Sequence, residues 1–222
     1  PSNADGDEDI ANAIVSDNAG YTYITGSVHG GHHGRDLVLI KYDPDGNEIF
    51  VRYFSGSSNI EDSDEEGTGL ALDHEGHIVV AGNTNGRIGT YDFCTLKYTT
   101  QGNLVWVNYF DGGSGSDDFA NGIKVDGEES IIVSGTSTGI NSGKDYITVK
   151  YNLEGDELWS AKYNGVGGNI TINDDELNAM TLDEMNNIYV TGYSTGAGSG
   201  RDFLTIKYDA AGRLQWISRN DN

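Results

Sequence analysis

The chain repeats itself four times, and the strictness of that repeat constrains the fold more than any other feature. Asp17, Asp73, Asp126 and Asp183 stand at intervals of 56, 53 and 57 residues. The same intervals separate Gly26, Gly82, Gly135 and Gly192, and again Asp36, Asp92, Asp145 and Asp202. They recur for Lys41, Lys97, Lys150 and Lys207, for Gly46, Gly102, Gly155 and Gly212, and for Phe50, Trp106, Trp159 and Trp216. Spacing inside a unit never varies, so every difference in length falls in the connector after the aromatic. A rigid unit joined by free linkers marks a repeat architecture, in which each unit buries its faces against its neighbours.

Each unit contains four strand-like runs bounded by turn residues. Residues 121–126 exemplify the first run, 188–192 the second (ending in glycine), 202–208 the third and 214–217 the aromatic-bearing fourth. Turns such as Asp43, Pro44, Asp45 and Gly46 part the third run from the fourth, the glycine supplying a positive φ. Apolar residues on both faces of the second and third runs suit sheets sandwiched between sheets. Ala13, Gly69, Gly122 and Ala179 recur four positions before the first aligned aspartate, where innermost strands would crowd around an axis. Helical periodicity is absent. The expectation is an all-β protein, a β-propeller made of four tandem four-stranded blades. The blades fall at about 5–56, 57–113, 114–168 and 169–222 of a single domain.

These residues also carry a family resemblance. The pattern of Asp118, Ala120, Asn121 and Ile123, then Tyr189 to Gly192, then Asp202, Ile206, Lys207, Tyr208, Asp209, Gly212 and Trp216 resembles the bacterial β-propeller repeat called SBBP. The resemblance runs through all four units and implies the fold, together with secreted or cell-surface placement in large multidomain proteins. It implies little about activity. Asp209, Gly212 and Trp216 are also similar to part of the tryptophan-docking repeat of quinone-dependent dehydrogenases, but the rest of that motif is missing. The resemblance further implies rings of about seven blades, whereas this chain has four units. A small four-bladed ring, two chains sharing one ring, and a portion of a longer protein all satisfy that difference.

Net charge narrows the function classes. At −22, with 35 acidic against 13 basic residues, the surface repels phosphate backbones and anionic lipid, so nucleic-acid partners and membrane insertion are not expected. Cys94 is the only cysteine, which excludes an intrachain disulfide and a thiolate zinc site.

Connectors and second-to-third-strand loops should emerge on one face of a propeller, and two candidate features lie there. One is an acidic residue ahead of each first strand: Asp9, Glu65, Asp118 and Asp175, followed three residues later by Asn12, Thr68, Asn121 and Asn178. Ringing a channel mouth, their oxygens would suit Ca2+; as a repeated turn device, each would bind backbone within its own blade. The other feature breaks the repeat: His29, His32 and His33 in the glycine-rich loop of the first unit have the donor type for zinc, nickel or copper. No phosphate loop, nucleophile elbow or zinc-protease motif is present. The expected function is a secreted or cell-surface, non-catalytic scaffold module for protein or glycan binding or extracellular assembly, with self-association as a homo-oligomer or fibre. The alternative is a propeller-fold lyase or glycoside hydrolase with its site on the inter-blade-loop face, using the blade-one histidines with nearby acids, or the pairs Asp117 and Asp118 or Asp174 and Asp175 as glycosidase carboxylates.

Overall fold

The computed structural model describes residues 8–29, 34–56, 63–85, 89–113, 115–139, 143–165, 174–196 and 200–220. Every regular element among them is a strand. Blade one holds β1 (Ile10–Ser16), β2 (Thr22–His29), β3 (Arg35–Tyr42) and β4 (Glu48–Phe54). Blade two holds β5 (Glu65–Leu72), β6 (Ile78–Thr84), β7 (Asp92–Tyr98) and β8 (Leu104–Phe110). Blade three holds β9 (Asp118–Val125), β10 (Ile131–Gly139), β11 (Gly143–Tyr151) and β12 (Glu157–Tyr163). Blade four holds β13 (Asp175–Leu182), β14 (Ile188–Gly196), β15 (Gly200–Tyr208) and β16 (Leu214–Asn220). Each blade is a four-stranded antiparallel meander with strands in sequence order, as the repeat predicts for propeller blades.

The turns are side-chain devices repeated in each blade. Asp73 Oδ1 accepts the backbone N–H groups of Glu75 and His77 at 3.1 and 2.8 Å, and Asp126 and Asp183 do the same in their blades. The aligned lysines close these turns from β7, β11 and β15: Lys97 reaches Asp73 at 3.0 Å, Lys150 reaches Asp126 at 2.7 Å, and Lys207 reaches Asp183 at 3.9 Å.

Two boundaries differ from the sequence reading. The aligned glycines do not end the second strand. Gly135 sits inside β10, where the pairing with β9 shifts register after Ser134, and a Cβ there would strike the carbonyl oxygen of Phe119. The acids do not precede the first strand either. Glu65, Asp118 and Asp175 are the opening residues of β5, β9 and β13, because they pair across to Thr84, Ser137 and Ser194.

The cores lie between the blades. One joins Tyr23, Leu37 and Leu39 of blade one to Ile78, Val80 and Leu96 of blade two. A second joins Val79 and Phe93 to Ile123, Val133 and Val149 of blade three. A third joins Ile132 and Tyr146 to Ile188, Val190 and Leu204 of blade four. Cys94 belongs to the first of these, and burial pushes its thiol far above the ordinary range. The innermost strands follow one another side by side, β1 to β5 to β9 to β13. No comparable packing joins β1 to β13 among the described residues, so four blades make three cores and leave two end faces.

Candidate functional site

The carboxylates predicted to form a channel collar are built into the joints between blades. Glu65, Asp118 and Asp175 are wholly buried. Asp118 Oδ2 accepts the Gly112 N–H at 2.6 Å and Oδ1 accepts the Thr138 N–H at 3.2 Å, while the Ser137 hydroxyl donates from the neighbouring strand. Asp175 repeats the motif with the Gly165 N–H at 2.5 Å and the Ser194 hydroxyl. Glu65 repeats it with Gly56, the Thr84 hydroxyl at 2.8 Å and the Ser63 hydroxyl at 3.3 Å. Each acid thus clamps the glycine of the connector arriving from the blade before. A Cβ on Gly112 would meet the Ser137 hydroxyl and the Asp118 carboxylate, which explains why a glycine stands in each connector. Burial pushes all three carboxyls above their ordinary range, and a neighbouring acid adds to it: Asp36 for Glu65, Asp111 for Asp118, Asp145 for Asp175.

The acid one position earlier is a second clamp. Asp64 accepts the Arg35 N–H at 2.9 Å, Asp117 accepts the Tyr91 N–H at 3.0 Å, and Asp174 accepts the Lys144 N–H at 3.3 Å. Each bond ties one blade's first strand to the third-strand entrance of the blade before it. Asp9 stands exposed in blade one, with one carboxylate oxygen 3.3 Å from the His29 N–H. The asparagines also serve the joints. Asn12 Nδ2 donates to Gly67 O at 3.0 Å and Glu66 Oε1 at 2.7 Å, and the Asn121 amide donates to Leu177 O at 3.3 Å. Asn178, their counterpart in blade four, is exposed.

One cluster was not foreseen. Asp92, Asp111 and Asp118 each offer a carboxylate oxygen within 4.8 Å of the others, and among the described residues this is the one trio of metal-capable side chains so arranged. Asp92 and Asp118 are buried and Asp111 is exposed. Three hard oxygens, open on one side, could hold Ca2+ or Mg2+. The collar residues therefore do not meet at one ion; only Asp118 of that set belongs to the trio. The sequence showed Asp92 and Asp118 as separate repeat columns, and only the packing of blade two on blade three brings them together. Asp111 has Ser55 and Asn164 at its equivalent positions in blades one and three and Asp221 in blade four, so its acidity recurs in one of the three other units. At the place in blade two that aligns with Lys162 and Arg219, which pair with Asp145 and Asp202 at 3.0 and 2.8 Å, stands Tyr109. Of the predicted imidazole set, His32 and His33 lie outside the described residues.

The tryptophans seal blade joints. Trp106 Nε1 donates to Leu153 O at 3.0 Å and Trp159 Nε1 donates to Ala210 O at 3.3 Å, each ring lying over a turn glycine of the next blade, Gly155 and Gly212. Among the described residues no further blade packs on the outer face of blade four. Phe203 is 72% exposed, although its equivalents Leu37, Phe93 and Tyr146 are 0, 0 and 1% exposed. Trp216 is 43% exposed on the same sheet. At the other end Ile14 is 68% exposed, and Ile24 and Ile40 are half-buried where their counterparts in the other blades are buried.

Sheets and joints of this kind define a propeller-type blade array. No family model matches the chain, and no curated protein matches it. Among solved structures it is similar to one described as "Crystal structure of the eukaryotic initiation factor", with a TM-score of 0.45 and 7% identity over 98% of this chain. The chain spans 56% of the length of that structure.

Proposed function

We propose that this chain is a non-catalytic β-propeller module acting outside the cell or at its surface, whose work is binding and assembly. The observation that carries this reading is the pair of uncovered end faces, above all the exposure of Phe203 where the same repeat position is buried in the three preceding blades. Exposed aromatic side chains set among polar residues are the usual anchors of protein and glycan recognition. The acidic pairs favour the same reading, since Asp117 and Asp118 hold backbone N–H groups across a blade joint and are not poised as an acid and a base. A divalent cation at Asp92, Asp111 and Asp118 would brace the joint between blades two and three.

Two variants test the reading. F203D and D117N/D118N are compared with the parent chain for self-association and for binding and cleavage of soluble extracellular polysaccharides and proteins. Loss of association or binding in F203D, with no cleavage by any form, is expected. A polysaccharide cleaved by the parent chain but not by D117N/D118N would overturn the reading in favour of a glycoside hydrolase.

A further inference from the structure

The three internal blade joints share one set of contacts, and both halves of a fourth set stand at the ends of the chain. At each joint a third-strand side chain of one blade presses on the aligned second-strand glycine of the next. Leu37 meets Gly82 and Phe93 meets Gly135, with a Cβ at either glycine lying 2.9 and 2.7 Å from that side chain. Tyr146 meets Gly192 in the same way, at 2.7 Å. The next member of the series is Phe203, and the glycine it would seek is Gly26, whose nearest neighbours all belong to its own blade.

The outer strands continue the pattern. Phe50 lies on Gly102, Trp106 on Gly155 and Trp159 on Gly212. Trp216 would lie on Gly46, where an added Cβ meets nothing within 4 Å among the described residues, and its indole N–H would face Pro44 O as Trp159 faces Ala210 O. The inner strands do likewise. Gly69 packs on Ile123 and Gly122 on Met180, at 3.0 and 3.1 Å from the position of a Cβ. The next pair is Ala179 with Ile14, and both are exposed. Asn178 would then find Ala11 O, as Asn121 finds Leu177 O. A hollow of about 320 Å³ on this face of blade four, lined by Ala179, Thr181, Tyr189, Thr191 and Thr205, is the space the incoming sheet would cover.

Resting on the reading of the chain as an assembly module, we propose that blade four of one chain docks on blade one of a second copy, in the register of the internal joints. The contact is head-to-tail: knob and socket lie at opposite ends of the molecule, so each chain offers one of each. Its occupant is a second copy because every anchor on blade four has its counterpart on blade one, by continuation of contacts that already hold the chain together. The contact adds a fourth apolar core, between chains, of the kind found between blades.

The test uses A179C and I14C, prepared separately in the full chain and mixed under mild oxidation. Both positions are exposed, and a Cβ at the equivalent Gly69 lies within 3.4 Å of the Ile123 backbone, within reach of a disulfide. The buried Cys94 thiol does not compete. The expected result is a two-chain disulfide formed about tenfold or more over either variant alone, because docking sets a millimolar effective thiol concentration. Adding F203D to the A179C chain should abolish it. Sedimentation of the cysteine-free-surface parent chain provides a second measure, with assemblies that F203D reduces to monomers. Cross-linking no greater than for either variant alone overturns the proposal, as does an intrachain disulfide in a dilute A179C/I14C double variant, which would mean that one chain closes on itself. If F203D abolishes binding to another protein or glycan while no cross-link forms, this inference fails and the interaction reading stands; if F203D alters nothing, both fail.

Discussion

Replacing Asp118 by Asn should stabilise the chain above neutral pH and remove most of its response to calcium. Asp118 and Asp92 are both buried, and their oxygens lie within 4.8 Å. Two full charges at that separation repel by about 3.5 kcal/mol at an effective dielectric constant of about 20. Burial and the nearby Asp111 raise the Asp118 carboxyl from its ordinary 3.8, so the folded chain keeps this proton to a higher pH than the unfolded chain does. A carboxyl whose pKa is raised on folding gives stability that is fully present below its unfolded value and lost as pH rises through its folded value. Glu65 and Asp175 have the same sign. Asp73 and Glu176 have the opposite one: burial raises Asp73 but Lys97 and His77 outweigh it, and Tyr193 with Lys144 outweighs burial at Glu176, so their contribution is lost as pH falls. Stability should therefore peak on the acid side of neutrality. D118N keeps an oxygen for the Gly112 N–H and carries no charge, but it turns its NH2 toward the Thr138 N–H, so its net gain at pH 8 should be about 1 kcal/mol, a rise of about 2–4 °C in melting temperature. The gain should vanish near pH 4. Calcium at about 100 times its dissociation constant should add about 2.7 kcal/mol to the parent chain and far less to D118N, and chelator should reverse it. Thermal unfolding at pH 4, 6 and 8, with calcium and with chelator, reads all of these. A D118N chain less stable than its parent at pH 8 in chelator would refute the reasoning, because it would mean that the carboxylate is worth more than its repulsion costs.

Two other substitutions check the packing of the joints. The Tyr146 hydroxyl is buried without a hydrogen-bond partner among the described residues, and the aligned residues Phe93 and Phe203 lack it, so Y146F should leave stability unchanged or raise it by about 1 kcal/mol in urea unfolding; a loss beyond that amount would show the hydroxyl to be paired in solution. W159A should cost about 3–5 kcal/mol because it empties the joint over Gly212, whereas W216A in the same repeat position should leave the unfolding of a dilute monomer within about 1 kcal/mol of the parent; equal losses would mean that Trp216 is already covered.

How much was legible in the sequence depended on whether a feature stayed inside one unit. Blade number, strand order and turn chemistry follow from columns such as Asp73 and Lys97, which pair within one blade. The role of the acids did not follow, because their partners are backbone groups and hydroxyls brought close only by folding: the Gly112 N–H for Asp118, the Tyr91 N–H for Asp117. The repeat did hold the signal. Gly56, Gly112 and Gly165 keep the intervals of their blades, and Thr84, Ser137 and Ser194 keep a hydroxyl opposite each acid. The trio of Asp92, Asp111 and Asp118 was out of reach, since it unites two columns from different blades with one residue that belongs to neither.

The end faces take their meaning from the arithmetic of stacking. A repeat whose cores lie between units makes one core fewer than its units when the stack is open, and the two outer sheets then carry side chains selected for burial. Arrays that stay single commonly replace those side chains with polar ones. On the outer face of blade four Phe203 and Trp216 stay exposed, and on that of blade one Ile14 does. Blade four has also kept the residues that bind backbone across a joint, with Asn178 and Trp216 in the same register as Asn121 and Trp159. Apolar exposure alone would favour any greasy partner. Retention of the directional donors beside it favours a partner with carbonyl groups at the same spacing, and blade one provides them at Ala11 and Pro44.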